Sequence, residues 1–92
     1  MTPIHPGRIL RREMGARDLS AIALALALRT PSGRIIDILN GKRGVSPETA
    51  LRLARYFGNS ALFRLNLRTA YELAVAEAEH GARIAAEVAP AA

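Results

Sequence analysis

Apolar side chains recur at three- and four-residue intervals along most of this chain, and short polar or glycine-containing stretches interrupt the pattern four times. This period is that of an amphipathic α-helix, so the pattern predicts five helices. They are expected over Pro6–Met14, Ala21–Leu28 and Ser32–Asn40, from the Ser46 cap to Gly58, and from Ser60 to at least Glu79. The apolar run at 23–28 consists of alanine and leucine, which are strong helix formers, so it does not indicate a strand. The chain is therefore predicted to be all-α.

Residues at the helix boundaries support this division. Hydroxyl side chains that suit N-cap positions precede four of the segments, at Ser20, Thr30, Ser46 and Ser60. Prolines that suit the first helical turn stand at 6, 31 and 47. Glycines follow three of the segments and are expected to end them, at Gly41, Gly58 and Gly81.

The second and third predicted helices have the layout of a helix-turn-helix motif. Both are short, about three residues separate them, and the second ends in Asn40-Gly41. Ala25 is small enough to let the two helices cross closely, and Ile35 and Ile38 have the spacing needed to hold the second helix on the core. An ordinary helical bundle with alanine and isoleucine at these positions is the alternative interpretation.

In this layout the outward face of the second motif helix reads DNA. Residues near the start of such a helix reach base edges in the major groove, and an arginine can bind guanine through two hydrogen bonds. The predicted base contacts are Ser32, Arg34 and Asp37, with Gly33 beside them. The predicted phosphate contacts are Ser20 and Thr30 at helix starts, and Lys42 and Arg43 in the loop beyond Gly41.

The charge distribution agrees with a polyanionic partner. The 92 residues are expected to form one domain with a net charge of +5. Residues 1–58 carry ten Lys and Arg against four acidic residues, whereas residues 59–92 carry three against four. A basic N-terminal part is what a DNA-binding surface requires. The alternative is a genome bias toward arginine, since twelve of the thirteen basic residues are arginine.

Other function classes receive little support from the sequence. The chain has no cysteine, and its two histidines, His5 and His80, lie near opposite ends. No catalytic constellation, phosphate-binding loop or metal-ligand cluster is apparent, so we expect neither an enzyme, nor a cofactor, nor a metal site. The most apolar stretch, Leu19 to Leu28, is too short to cross a bilayer. A cytoplasmic protein with no membrane partner is expected.

The last predicted helix is the candidate for self-association. Phe63, Leu67, Ala70, Tyr71 and Ala74 form an apolar stripe that the four short helices cannot fully cover, although closure of the core alone is the other interpretation. A twofold homodimer would present two recognition helices to a palindrome. The expected organisation is a domain over 1–81, including a dimerisation helix at about 60–80, and a flexible or frayed tail over 82–92.

Three segments of the chain resemble one known family. They are Pro3 to Arg11, Arg34 to Gly44, and Thr49 to Ser60, and the likeness continues through Phe63, the triplet 65–67 and Ala70 to Leu73. In this combination they resemble HigA-type addiction-module antitoxins, within the phage-repressor-like helix-turn-helix proteins. The resemblance implies a five-helix dimeric operator-binding protein that represses its own operon and neutralises a HigB-type, ribosome-dependent mRNA-cleaving toxin.

Five positions depart from the pattern of that family. Arg29 stands where a turn glycine is usual, Arg64 where tryptophan is usual, Ala21 where a polar residue is common and Leu26 where a basic residue is common; Gly33 offers no side chain to a base. These departures keep two alternatives open. One is a regulator without a toxin, and the other is a protein-interaction module whose DNA-binding surface has degenerated.

Overall fold

The protein is described by a computed structural model that covers residues 4–91. Over this range the chain forms five α-helices in sequence order, and no residue of the range is in a β-strand. The helices are α1 (Pro6–Ala16), α2 (Ala21–Leu28), α3 (Ser32–Leu39), α4 (Pro47–Phe57) and α5 (Ala61–Glu87). The prediction of an all-α, five-helix chain is confirmed.

The core lies where the apolar faces of α1 to α4 meet the first turns of α5. Ten buried side chains form it: Leu10, Met14, Leu24, Ala25, Leu28, Ile35, Ile38, Val45, Ala50 and Leu53. Ala25 of α2 is 3% exposed, and α2 and α3 pack directly on each other, as the helix-turn-helix layout predicts. Burial of branched side chains at three- and four-residue spacing therefore fixes the orientation of α3.

The first turn of α1 packs against the end of α3. His5 is the N-cap of α1, and its Nδ1 accepts a hydrogen bond of 2.9 Å from the Gly7 amide. A Cβ built on Gly7 would lie 2.0 Å from the carbonyl oxygen of Ile38, so only glycine fits this approach. No local sequence pattern indicates this contact, because Gly7 and Ile38 are 31 positions apart.

The turn between α2 and α3 differs from the predicted one. Arg29 takes the left-handed conformation, with φ 55° and ψ 48°, and the Thr30 amide donates to the Ala25 carbonyl at 3.0 Å. Because Thr30 closes α2 in this way, it does not cap α3. Pro31 is the N-cap residue instead, with an extended ψ of 138° and no side-chain cap bond. The prediction of Thr30 as the cap and Pro31 as the first helical residue was wrong.

The predicted end of the last helix was also wrong. Gly81 does not stop α5, which continues to Glu87, so residues 82–87 are helical rather than part of a frayed tail. An internal glycine costs a helix only about 1 kcal/mol, and the Arg83–Glu87 ion pair at 3.8 Å lies just beyond it. The amide of Val88, the C-cap residue, donates to the Ile84 carbonyl, and Pro90 follows.

A buried ion pair joins α5 to α1. Arg64 is 2% exposed, and its guanidinium donates to both carboxylate oxygens of Glu13, at 2.5 and 2.7 Å. It also donates to the Asn59 side chain at 3.2 Å and lies over the rings of Phe57 and Phe63, at 5.2 and 5.3 Å. Arg64 thus fills a buried position and packs between α1 and the two phenylalanine rings.

Beyond this anchor, α5 extends away from the other helices. The molecule measures 51 by 22 by 22 Å, and α5 alone accounts for about 40 Å of its length. All side chains from 76 to 91 are exposed except the partly covered Gly81. None of the described helices is long and apolar enough to cross a membrane.

Candidate nucleic-acid interface

The exposed face of α3 carries the three predicted base-reading residues. Ile35 and Ile38 are both 0% exposed and hold the opposite face of the helix on the core. Ser32 is exposed, whereas Arg34 and Asp37 are half-buried. No side chain caps α3, and the Arg34 amide donates to the Pro31 carbonyl at 3.1 Å, so the Ser32 and Gly33 amides are the ones placed to meet an acceptor from outside. The geometry is that of a helix presented to a groove.

Arg34 lies between the turn and the start of α4. Its guanidinium donates to the Thr30 hydroxyl at 3.4 Å, which keeps the side chain along the N-terminal end of α3. Arg34 and Arg43 line the same groove, a cavity of about 520 Å³ that reaches the first turn of α4. A guanidinium held in this position has donors left for a base edge or a phosphate.

Asp37 is paired with a predicted phosphate contact. Its carboxylate lies 4.0 Å from the Arg43 guanidinium, and the two side chains are 42% and 51% exposed. An exposed pair at this distance contributes at most about 1 kcal/mol, so either partner can be drawn away by DNA. Lys42 is exposed next to it, while its amide donates to the Asp37 carbonyl at 2.8 Å. The end of α3 and its following loop therefore form one compact charged cluster.

The two predicted phosphate contacts at helix starts differ from each other. Ser20 is the N-cap of α2, as predicted, and its hydroxyl accepts from the Ala23 amide at 3.1 Å. It is exposed at the positive end of the α2 dipole, where an anion is favoured. Thr30 has no such end of its own, because Pro31 occupies the cap position of α3. The hydroxyl of Thr30 faces Arg34 instead.

Ser46 and Arg68 also line this groove, and neither is among the residues predicted to contact DNA. Ser46, the N-cap of α4, accepts from the Thr49 amide at 3.2 Å. Arg68 of α5 donates to the Val45 carbonyl at 3.2 Å and to Glu72 at 2.8 Å. The sequence predicts Ser46 as the N-cap of α4. It does not predict that Ser46 lies in the same groove as Arg34, because that depends on the path of the loop over 41–46. Arg68 carries no local signal at all.

The turn before α3 is held from the α4 side. Arg52 donates to the Leu28 carbonyl at 2.9 Å and to Glu48 at 3.3 Å. It thus satisfies a carbonyl at the end of α2 and fixes the point where the chain enters the turn. Leu28 directly precedes the left-handed Arg29, so this hydrogen bond fixes the backbone on one side of it.

The stripe predicted for self-association is only partly free. Phe63 is 41% exposed and Ala70 is exposed, whereas Leu67, Tyr71 and Ala74 are half-buried. Tyr71 packs edge-on against the His5 ring, with centroids 4.8 Å apart. Burial lowers the pKa of His5 below its ordinary value of 6.5, because the charged imidazolium would lose hydration there.

Comparison with known proteins places this architecture in a family. Residues 10–63, which span α2, α3, α4 and parts of their neighbours, match the family model described as helix-turn-helix. Virulence-associated protein I of Dichelobacter nodosus is 51% identical over 78 residues, which make up 84% of this chain and 72% of that protein.

Two solved structures are similar along nearly the whole chain. An addiction module antidote protein of the HigA family from Coxiella burnetii superposes with a TM-score of 0.96 at 47% identity, covering 98% of this chain and 99% of that one. The Pseudomonas aeruginosa antitoxin HigA, solved with the higBA promoter, gives 0.95 at 45% identity, with the same coverage. The chain therefore belongs to the helix-turn-helix family, in the group that contains virulence-associated protein I and the HigA-type antidote proteins.

Proposed function

We propose that this chain is the antitoxin of a type II toxin–antitoxin module, which represses its own operon and neutralises an mRNA-cleaving toxin of the HigB type. One observation carries the DNA-binding part: α3 is anchored by Ile35 and Ile38 and holds Arg34 on its outer side, next to a cationic loop. The Pseudomonas relative of the same architecture was solved with promoter DNA, which supports this assignment. The activity is binding, with no chemical step.

The roles of the site residues follow from their chemistry. Arg34 reads guanine through two donors, Ser32 donates to or accepts from a neighbouring base, and Asp37 accepts from cytosine. Ser20, Lys42 and Arg43 contact phosphates on either side of the groove, and Thr30 contacts the backbone while it supports Arg34. Asp37 is compatible with this polyanionic partner because Arg43 offsets its charge.

Repression requires two copies of the domain in this proposal. A homodimer formed through α5 presents two α3 helices to a palindromic operator, with half-sites one helical turn or a multiple apart. The apolar stripe of Phe63, Leu67, Ala70, Tyr71 and Ala74 is the first candidate for the contact face. The protein acts in the cytoplasm, where operator and toxin are both present. The chain is a single domain, and α5 is its dimerisation helix.

The test is titration of labelled DNA from upstream of the gene for this chain, with a shuffled duplex as the control, followed by co-expression with the adjacent gene. We expect at least about 1,000-fold tighter binding to the upstream duplex, and co-purification with a small protein whose toxicity the chain suppresses. Equal binding to both duplexes would refute the repressor assignment. Specific DNA binding without a toxic neighbour would instead indicate a stand-alone regulator.

A protein-interaction module is the second candidate, and one observation favours it. The outer face of α2 is apolar and exposed, with Ile22 at 63% and Leu26 at 74%. Such a face next to α3 suits a protein partner better than a phosphate backbone. Toxin binding with no DNA binding to any upstream duplex would select this function.

A further inference from the structure

Ile36 is an exposed apolar residue of α3 that is not among the predicted base contacts. Its side chain is 41% exposed, although it directly follows the fully buried Ile35. Ser32 and Asn40, each four positions from Ile36 and thus on the same side of the helix, are exposed as well. An isoleucine side chain has no hydrogen-bonding group, so it gains nothing from a phosphate. On this open face its favourable partner is another apolar group.

Helix geometry places Ile36 beside the part of α3 that projects farthest from the core. Ile35 and Ile38 hold the helix on the core, and at 100° per residue the direction opposite to them falls within about 10° of Gly33. Ile36 lies about 60° to one side of Gly33, and Asp37 lies about 40° to the other side. When α3 enters a groove, Ile36 and Asp37 therefore flank the line of closest approach.

Gly33 allows the helix to approach a groove closely. It lies in the first turn of α3 and has no positive φ, and a Cβ built on it would meet nothing within 4 Å. The fold therefore does not require glycine at this position, although glycine weakens a helix relative to alanine. Without a side chain at the outermost point, the backbone of α3 can lie against the base edges, and the side chain of Ile36 then reaches them.

We propose that Ile36 reads thymine in the operator through an apolar contact with the 5-methyl group. Among the four bases of DNA, only thymine presents a methyl group in the major groove. Cytosine in the same place would present an amino group, which isoleucine leaves without a hydrogen-bond acceptor. The inference rests on the DNA binding of the proposed function, and it adds one specificity residue to the predicted base contacts.

The charges around Ile36 favour DNA over a protein as the partner of this face. Arg34 of α3 and Lys42 and Arg43 of the following loop are cationic. Asp37 is the one acidic residue over 32–46, and its carboxylate lies 4.0 Å from the Arg43 guanidinium. A polyanion whose phosphates meet these cations brings its base edges against the surface between them. The apolar group that Ile36 meets there is the thymine methyl.

Uracil substitution tests the contact, because uracil differs from thymine only in lacking the 5-methyl group. The probe is the labelled duplex from upstream of the gene, in which each thymine and its counterpart in the other half-site are replaced in turn. We expect one position at which the wild-type chain loses on the order of tenfold in affinity, since one buried methyl group contributes about fourfold in each half-site. Ile36→Ala should bind the thymine duplex with at least this loss and lose nothing further on the uracil duplex.

Two further variants make the result specific to this side chain. Ile36→Val keeps methyl groups at the contact and should retain most of the sensitivity to uracil. Leu51→Ala is the matched control, because Leu51 is 64% exposed but lies on α4, beside the end of α2. Its affinity and its sensitivity to uracil are expected to match the wild type. Circular dichroism checks that these exposed substitutions leave the helices intact.

The outcomes separate this inference from the proposed function. Specific binding that no uracil substitution weakens would overturn the thymine contact and leave the repressor assignment in place. A sensitive position at which Ile36→Ala loses as much as the wild type would assign the methyl contact to another residue. Equal binding of the wild-type chain to the upstream duplex and a shuffled one would overturn both the repressor assignment and the thymine contact.

Substitution of Gly33 provides a second measurement. Gly33→Ala should lower operator affinity on the order of tenfold by holding α3 away from the base edges, and it should raise the midpoint of thermal unfolding because alanine is the better helix former. Gly15→Ala in α1 is the matched control, since a Cβ built on Gly15 also meets nothing within 4 Å. It should raise the midpoint similarly and leave operator affinity unchanged. Equal operator affinities of the two variants would contradict the close approach at Gly33.

Discussion

The Glu13–Arg64 pair allows a sharp test of how α5 is attached to the domain. The two guanidinium–carboxylate bonds are short, Arg64 is almost fully buried, and its Nε has no hydrogen-bond partner within the described residues. Glu13→Ala would leave the guanidinium with Asn59 as its remaining side-chain hydrogen-bond partner. Removing one partner of a buried pair costs about 3–5 kcal/mol. Because the Glu13 side chain is 21% exposed, we expect about 3 kcal/mol.

That loss is a large part of the stability of a domain of this size, which is about 5–15 kcal/mol. It corresponds to a fall of roughly 12–24 °C in the midpoint of thermal unfolding. Urea unfolding followed by circular dichroism at one fixed protein concentration gives the free energies directly, with dimerisation held constant.

The double variant Glu13→Leu/Arg64→Met is the informative comparison. It replaces the pair with apolar side chains of similar size, and such replacements are often neutral or stabilising, so we expect a stability within about 1 kcal/mol of the wild type. If Glu13→Ala cost less than about 1 kcal/mol, or if the double variant were as unstable as that single variant, the pair would not be the link between α1 and α5.

Three further predictions concern the turn, the first cap and the loop. Arg29→Gly removes a non-glycine residue from the left-handed conformation and is expected to raise the free energy of unfolding, measured in urea, by about 1 kcal/mol. Asp18→Gly, at φ 52°, should raise it less, because aspartate tolerates that conformation better, and equal gains would refute the strain argument. The lowered pKa of His5 means that the unfolded chain binds a proton first as the pH falls below about 6.5, so the free energy of unfolding should decrease from pH 7 toward the folded pKa. His5→Asn, which can still accept from the Gly7 amide, should flatten that part of the profile, and an unchanged profile would exclude His5 as its cause. Lys42→Ala should weaken binding to all duplexes alike and reduce the slope of log affinity against log salt by about 1; a sequence-dependent loss would show that Lys42 reads bases.

The fold was predictable from the sequence because its boundaries are set by local signals. Ser20, Ser46 and Ser60 each accept from a backbone amide three residues on, and Gly58 ends α4 with φ 79°. The two errors in helix boundaries arose where the surrounding chain outweighed one residue's local preference. Thr30 closes the end of α2 instead of opening α3. Gly81 does not end α5, because the residues around it favour a helix.

The sequence predicts which residues the outer face of α3 carries, but not how the surrounding side chains are arranged around them. The sequence placed Arg34 and Asp37 on the outer face of the recognition helix, and that geometry is present. The ion pair between Asp37 and Arg43, and the approach of Ser46 and Arg68 to the same groove, depend on the loop path and on α5. Likewise, Glu13 and Arg64 are 51 positions apart, so helical periodicity does not connect them.

The central claim, that Arg34 reads the operator from an anchored α3, is tested most directly by Arg34→Lys. Lysine keeps the positive charge but loses the two-pronged donor geometry, so affinity for unrelated DNA should stay unchanged. We expect the ratio of operator affinity to affinity for an unrelated duplex, measured by fluorescence anisotropy, to fall on the order of tenfold. A ratio equal to that of the wild type would contradict the account.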